Sequence, residues 1–301
     1  MKKFHKAFAR DKYLLLLMLP VMAYFVLFHY VPMYGALIAF KDFSPARGIL
    51  RSKWVGFEWF MEFFQSYFFP RLIRNTLSLS LLQLAFGFPI PIIFALLLNE
   101  LRNQAFKRVA QTVSYLPHFI SIVVMVGIMF NLLDPNIGII NMLIKRSGGA
   151  PISFMRDPDW FRFLYVSSGV WQEFGWNSII YLAALSGLEM EQYEAARIDG
   201  ANRWRLLWHI TIPGIVPTMV ILLILRCGRI MNVGFEKVLL MYSPGVYEVA
   251  DVISTYVYRR GIINGEFSFS AAVGLFNSVI NCFLVLLVNW ISRKTSEYSL
   301  W

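Results

Sequence analysis

Charge is scarce in this chain: Asp, Glu, Lys and Arg make up 15% of 301 residues, where a soluble domain carries about a quarter. That deficit excludes an ordinary water-soluble fold. The 57% of hydrophobic residues must be buried, and a mean hydropathy of +0.56 points to lipid as the solvent. Cysteine is scarce too. Cys227 and Cys282, both in or beside apolar stretches, exclude a disulfide framework and a cysteine metal site and read as small packing residues. Missing as well are a Gly-rich lysine loop for nucleotide phosphates, a nucleophile–base set and any metal-ligand spacing. Gly148-Gly149 reads as a turn, and His29 and His118 as lone structural histidines. By itself the chain reads as no enzyme, with no catalytic or metal residues. Low-complexity stretches and soluble domains are absent, so residues 1–301 read as one domain.

What is there is organised by the bilayer. Six apolar blocks are each long enough for a hydrocarbon core of about 30 Å: 13–33, 75–98, 113–133, 163–187, 212–230 and 271–291. The fold class is therefore an all-α membrane protein with six transmembrane helices. The first block follows a basic run but exceeds a signal-peptide core and lacks a small-residue cleavage site, so it reads as a retained helix. The net charge of +10 lies between these blocks, which favours positive-inside orientation over nucleic-acid binding. Segments 1–12, 99–112, 188–211 and 293–301 hold 13 of the 28 Lys and Arg, which gives N-in/C-in. Pro20, Pro32, Pro89, Pro91, Pro117, Pro213 and Pro217 lie in or near spans and predict bends. The external segments are 34–74, 134–162 and 231–270. The first is crowded with aromatics between Trp54 and Phe69, which suits an amphipathic helix on the outer surface or one packed on neighbouring helices.

The segment between the fourth and fifth blocks carries most information. It reads Glu194-Ala195-Ala196, then Asp199-Gly200-Ala201, then Ile210-Thr211-Ile212-Pro213. Good helix formers precede Gly200, and glycine there predicts a positive-φ stop. Ala201, Trp204, Leu207 and Trp208 recur at helical spacing. The expected result is a helix, a sharp turn and an amphipathic helix leading to Pro213, with small Ala195 and Ala196 admitting close approach of another protein surface.

This stretch resembles the cytoplasmic EAA coupling loop of ABC-importer permeases, with Asp199-Gly200-Ala201 similar to the sugar-type members. The resemblance covers nearly the whole chain. Arg74-Asn75-Thr76, Tyr115-Leu116-Pro117, the stretch from Trp171 to Leu185, Val246 to Tyr258, Ser270 to Phe276 and Ser299-Leu300-Trp301 look like a subgroup importing complex sugars or oligosaccharides with a lipid-anchored binding protein, mostly in Gram-positive bacteria. The resemblance implies a multi-pass plasma-membrane subunit of a heteromeric complex. Its partners would be a second, non-identical permease, two ATPase subunits that hold the ATP and Mg, and an extracellular sugar-binding protein. Glu194, Ala195, Ala196, Asp199, Gly200, Ala201 and Pro213 would couple to the ATPase through the loop at 188–213.

Polar residues inside spans are costly and face a cavity or a partner helix. Gln83, Glu173, Asn177, Asn277 and Asn281 are such residues, Asn232 lies just after the fifth block, and Trp171 and Trp176 offer ring faces for sugars; together they form the candidate substrate path. Interhelical hydrogen bonding is the plainer alternative. Asn277 and Asn281 share a helix face. Glu173 stands alone near the outer end of its block and reads as hydrated. An ion-gradient-driven transporter would show inverted repeats and paired charges, and neither is visible. A permease for another solute class also remains open.

Overall fold

The structure, a computed structural model, describes residues 12–295. The basic tail at 1–11 and the Ser299-Leu300-Trp301 motif lie outside the described residues. Nearly all regular structure among the described residues is helical, as expected where each segment must satisfy its own backbone. They fall into two compact units: residues up to 66 with 257–276, and 67–256 with those from 277 on.

In the first unit, α1 (Lys12–Phe40) has no buried side chain between residues 12 and 33. A helix that is apolar on every open face is solvated by lipid. It loosens into a π turn at Val26–Tyr30 and a 3-10 turn at Tyr34–Phe40, around Pro32, whose missing N–H removes one rung. Two short antiparallel strands follow, β1 (Lys41–Asp42) and β2 (Lys53–Trp54), in the register Lys41 opposite Trp54. Then comes α2 (Glu58–Gln65). The aromatic run packs inward around Phe40, which stacks on Trp54 at 5.7 Å and meets Phe57 and Phe60 at 5.4 Å. Phe63 is buried against Phe269 and Phe276. Arg260 pairs with Glu62 at 2.8 Å and with Glu266, and lies over the Phe269 ring.

In the second unit, α3 (Phe69–Glu100) changes segment at Phe88, just before Pro89 and Pro91, where a first-turn proline loses no hydrogen bond. The third expected span is corrected. Residues 113–133 form no single helix, because α4 (Gln104–Phe119) and α5 (Ile122–Leu133) meet at 99°. The cause is local. Pro117 tightens the end of α4, Ile120 is extended, and the Ser121 hydroxyl caps α5 by accepting from the Val124 N–H at 3.3 Å. The Ile120 carbonyl freed at the break accepts from the Gln172 amide at 2.7 Å.

After α6 (Ile139–Arg146) comes α7 (Pro158–Ser186), capped by Asp157. α7 is the axis of the unit. One end buries Phe161, Leu164 and Tyr165 with Met125 of α5. The other buries Tyr181 and Leu185 with Ile92 and Ala95 of α3. Gly175 admits α4 so closely that a Cβ there would lie 2.0 Å from the Ser114 carbonyl oxygen. α7 is covered on one side by α3, α4 and α9 (Arg203–Cys227), where Gln172 is buried and Asn177 half-buried, and is open on the other at Phe163, Trp171 and Ile180. Among the described residues, four helices are long and apolar enough to cross a bilayer, α1, α3, α9 and α11 (Phe267–Thr295), and a fifth if the bent pair is one span. Two of the shorter helices are α8 (Met190–Ile198) and α10 (Phe235–Met241).

Candidate functional site

The segment 188–213 folds much as its residue types predict. α8 ends where Gly200 takes φ +79°, with Asp199 donating to the Ala195 carbonyl at 3.0 Å and Ala201 to that of Ala196 at 2.9 Å. Side chains are disfavoured at such a φ. Asn202 then caps α9 by accepting from the Arg205 N–H at 2.9 Å. The expected amphipathic helix is not a separate piece. It runs through a π turn at Leu207–Thr211 into the fifth block, past Pro213. The π turn lies beside the rung that Pro213 cannot make. Tyr193 reaches back to the Thr211 hydroxyl at 3.0 Å, tying α8 to α9. Glu194 and Ala195 are exposed, and Ile198 is 86% exposed. Trp204 and Trp208 are exposed as well. The hairpin thus presents a carboxylate, small residues and large apolar side chains outward together.

A second set of residues converges on a cavity of about 400 Å³ between α3, α7 and α9. Gln83, Asn177 and Asn232 line it together with Tyr165, Tyr181, Arg226 and Arg229. Asn277 and Asn281 donate to the Asn232 amide oxygen at 2.9 and 3.2 Å, and Asn281 accepts from the Met231 N–H. Their shared helix face therefore positions Asn232 rather than lining the cavity. Trp171 lines a different, mainly apolar cavity of about 600 Å³. Glu173 is corrected: it lies midway along α7 and faces His118 Nδ1 at 3.3 Å. His118 has that carboxylate as its partner, and its ring stacks on Trp176 at 4.4 Å, so one face of that indole is already covered. Lys237 of α10, missed in the sequence, is buried with Nζ donating to the Tyr165 carbonyl at 2.6 Å. Burial pushes its ammonium down to about 7, opposed by the Glu173 carboxylate. Arg226 and Arg229 were also missed. They end an apolar block, where basic residues ordinarily read as interfacial flanks.

Two of the segments resembling family motifs meet in a buried knot. Asn75 donates to the carbonyls of Glu248 and Asp251 at 2.8 and 3.0 Å, and Thr76 accepts from the Ile253 N–H. The Asp251 carboxylate, 1% exposed, pairs with Arg71 at 3.2 Å and accepts from Tyr242 and Thr255.

Known proteins share this construction. The family described as binding-protein-dependent transport system inner membrane component matches residues 87–297. Protein LplB of Bacillus subtilis is 49% identical over 98% of this chain and 92% of its own length. The polygalacturonan/rhamnogalacturonan transport system permease protein YteP of the same organism is 47% identical over 96% and 90%. The crystal structure of a bacterial alginate ABC transporter, in complex with an alginate pentasaccharide-bound periplasmic protein, contains a chain 42% identical. It superposes with a TM-score of 0.90 over 98% of this chain and 99% of that one.

Proposed function

The chain belongs to the binding-protein-dependent transport system inner membrane components, and from that membership we propose that it is the permease subunit of an ATP-driven importer of sugars or oligosaccharides. Membership sets aside the ion-gradient-driven alternative and makes the chain a transport component rather than an enzyme. Sugar as the solute class is supported by relatives named for polygalacturonan, rhamnogalacturonan and alginate transport. We read residues 1–301 as one permease domain in a bacterial plasma membrane, crossing it six times with N-in/C-in orientation. The four long apolar helices, the bent pair α4/α5 and the 29-residue α7 are the material for six crossings.

In this reading the hairpin at 188–213 docks on an ATPase subunit, which holds the ATP and Mg. Glu194, Ala195 and Ala196 face that subunit, and Asp199, Gly200 and Ala201 shape the turn. Pro213 sits where α9 enters the membrane. The observation that carries this is the outward exposure of Glu194, Ile198, Trp204 and Trp208 on a rigidly capped turn. Gln83, Asn177 and Asn232 belong to the substrate path, with Asn277 and Asn281 behind Asn232. Trp171, Glu173 and Trp176 lie on the flanks of α7.

Affinity purification of the tagged chain from native membranes tests the assignment. A second permease, an ATPase and a sugar-binding lipoprotein are expected to co-purify. Recovery of the chain without any ATPase, under conditions that preserve other ABC complexes, would sink it. A single cysteine at Ile198, labelled only in inside-out vesicles, is the matching test of orientation.

A further inference from the structure

We propose that the α3–α7–α9 cavity is built for a negatively charged oligosaccharide, with Arg226 and Arg229 as the charge-selecting residues. This deepens the importer reading and rests on it. Arg226 and Arg229 are the charged side chains of the cavity lining, which contains no Asp or Glu. Among the described residues neither arginine has a carboxylate within ion-pair distance. Arg226 is half-buried and Arg229 exposed, and both guanidinium groups line the cavity without a counter-charge among the described residues. The C-terminus of α9 offsets the charge in part. Its last carbonyls, however, are already taken, since Gly228, Arg229 and Ile230 donate to Ile224, Arg226 and Cys227.

Arg226 lies in the last turn of α9 and Arg229 in the turn that follows it, and both line the same cavity. A guanidinium fork matches a planar carboxylate or a sulfate with two parallel hydrogen bonds. The rest of the cavity suits sugar hydroxyls. Gln83 Oε1 is buried and has no donor, and Asn177 and Asn232 stand alongside it. Space is kept open by two glycines. A Cβ on Gly87 would lie 3.1 Å from the Gln83 amide nitrogen and 3.3 Å from Arg226 Nη1, and one on Gly169 3.1 Å from Gln83 Oε1. The volume of about 400 Å³ is that of a small-molecule site.

The test is uptake by cells carrying the complete importer, with three labelled oligosaccharides of matched length: an oligogalacturonate, its carboxyl-reduced neutral counterpart and a sulfated oligosaccharide. The wild type is expected to favour an anionic sugar over the neutral one at least tenfold. Whether the carboxylate or the sulfate is preferred identifies the anion. Arg226→Gln and Arg229→Gln should each lower anionic uptake about tenfold at subsaturating sugar, the loss of one charge-assisted contact. Arg226→Lys at equal membrane abundance should recover most of it. Uptake of the neutral sugar as well as the anionic ones overturns the inference and leaves sugar import standing. So does an Arg226→Gln variant, present at wild-type abundance, that imports the anion normally. If none of the three sugars enters, sugar import itself fails and the inference falls with it.

Discussion

Asn75 and Glu194 both lie in segments that resemble family motifs, and the fold treats them in opposite ways. Around Asn75 the polar atoms are used inside the chain. Its amide holds two carbonyls, Thr76 holds a third backbone group, and Asp251 gathers Arg71, Tyr242 and Thr255 at 1% exposure. Around Glu194 the backbone is tightly tied, but the side chains point away from it into open space. Two motifs of similar prominence in the sequence thus do different work. One fastens the chain to itself, and the other leaves its side chains exposed. The contrast is physical: buried polar groups without partners are expensive, whereas exposed ones cost the chain little.

The contrast breaks most severely at Asp251. Asp251→Ala leaves the Tyr242 and Thr255 hydroxyls and Arg71 without their acceptor and should cost about 3 kcal/mol. It should be seen as a lower melting temperature of the purified complex and lower membrane abundance. An unchanged melting temperature would show that the knot is not structural. Asn75→Ala removes both hydrogen bonds of one amide and should cost about 2 kcal/mol by the same measurement. At the hairpin, Gly200→Val forces a β-branched residue to φ +79°, a local strain of about 1–2 kcal/mol. Sugar-stimulated ATP hydrolysis should be lost while the chain remains in the membrane, and Gly200→Asn, which tolerates that φ, should retain it. Glu194→Ala should shift stability by no more than about 0.5 kcal/mol yet abolish ATP-driven uptake. Normal uptake in that variant would remove the hairpin from the coupling role.

Much of the fold was legible because lipid imposes a simple rule on composition. Blocks 13–33, 75–98, 212–230 and 271–291 all fall within or nearly within long helices. The rule fails where the surroundings are protein. α7 carries Gln172 and Asn177 where other helices cover one side of it. The 113–133 block looks continuous in hydropathy, yet it bends at Ile120 through a proline, a serine cap and a hydrogen bond from Gln172, 52 residues away. Periodicity cannot see that bond. The turn at Gly200 was legible from one residue type, and Asn232 as an amide just beyond the end of an apolar block. The cavity itself was not, since its arginines sit at a block end where composition assigns them to the water interface. Likewise the pairing of His118 with Glu173 joins residues 55 apart, which left each looking solitary.

Helix α9 extends unbroken from the Asn202 cap beside the hairpin to Arg226 at the cavity, about 37 Å at a rise of about 1.5 Å per residue. The two places are therefore opposite ends of one continuous helix, with a π turn at Leu207–Thr211 near the hairpin end. A tilt of about 5° at the hairpin end swings the far end by about 3 Å, the length of a hydrogen bond. That stroke is enough to make or break a hydrogen bond at Arg226, with no relay of side chains in between.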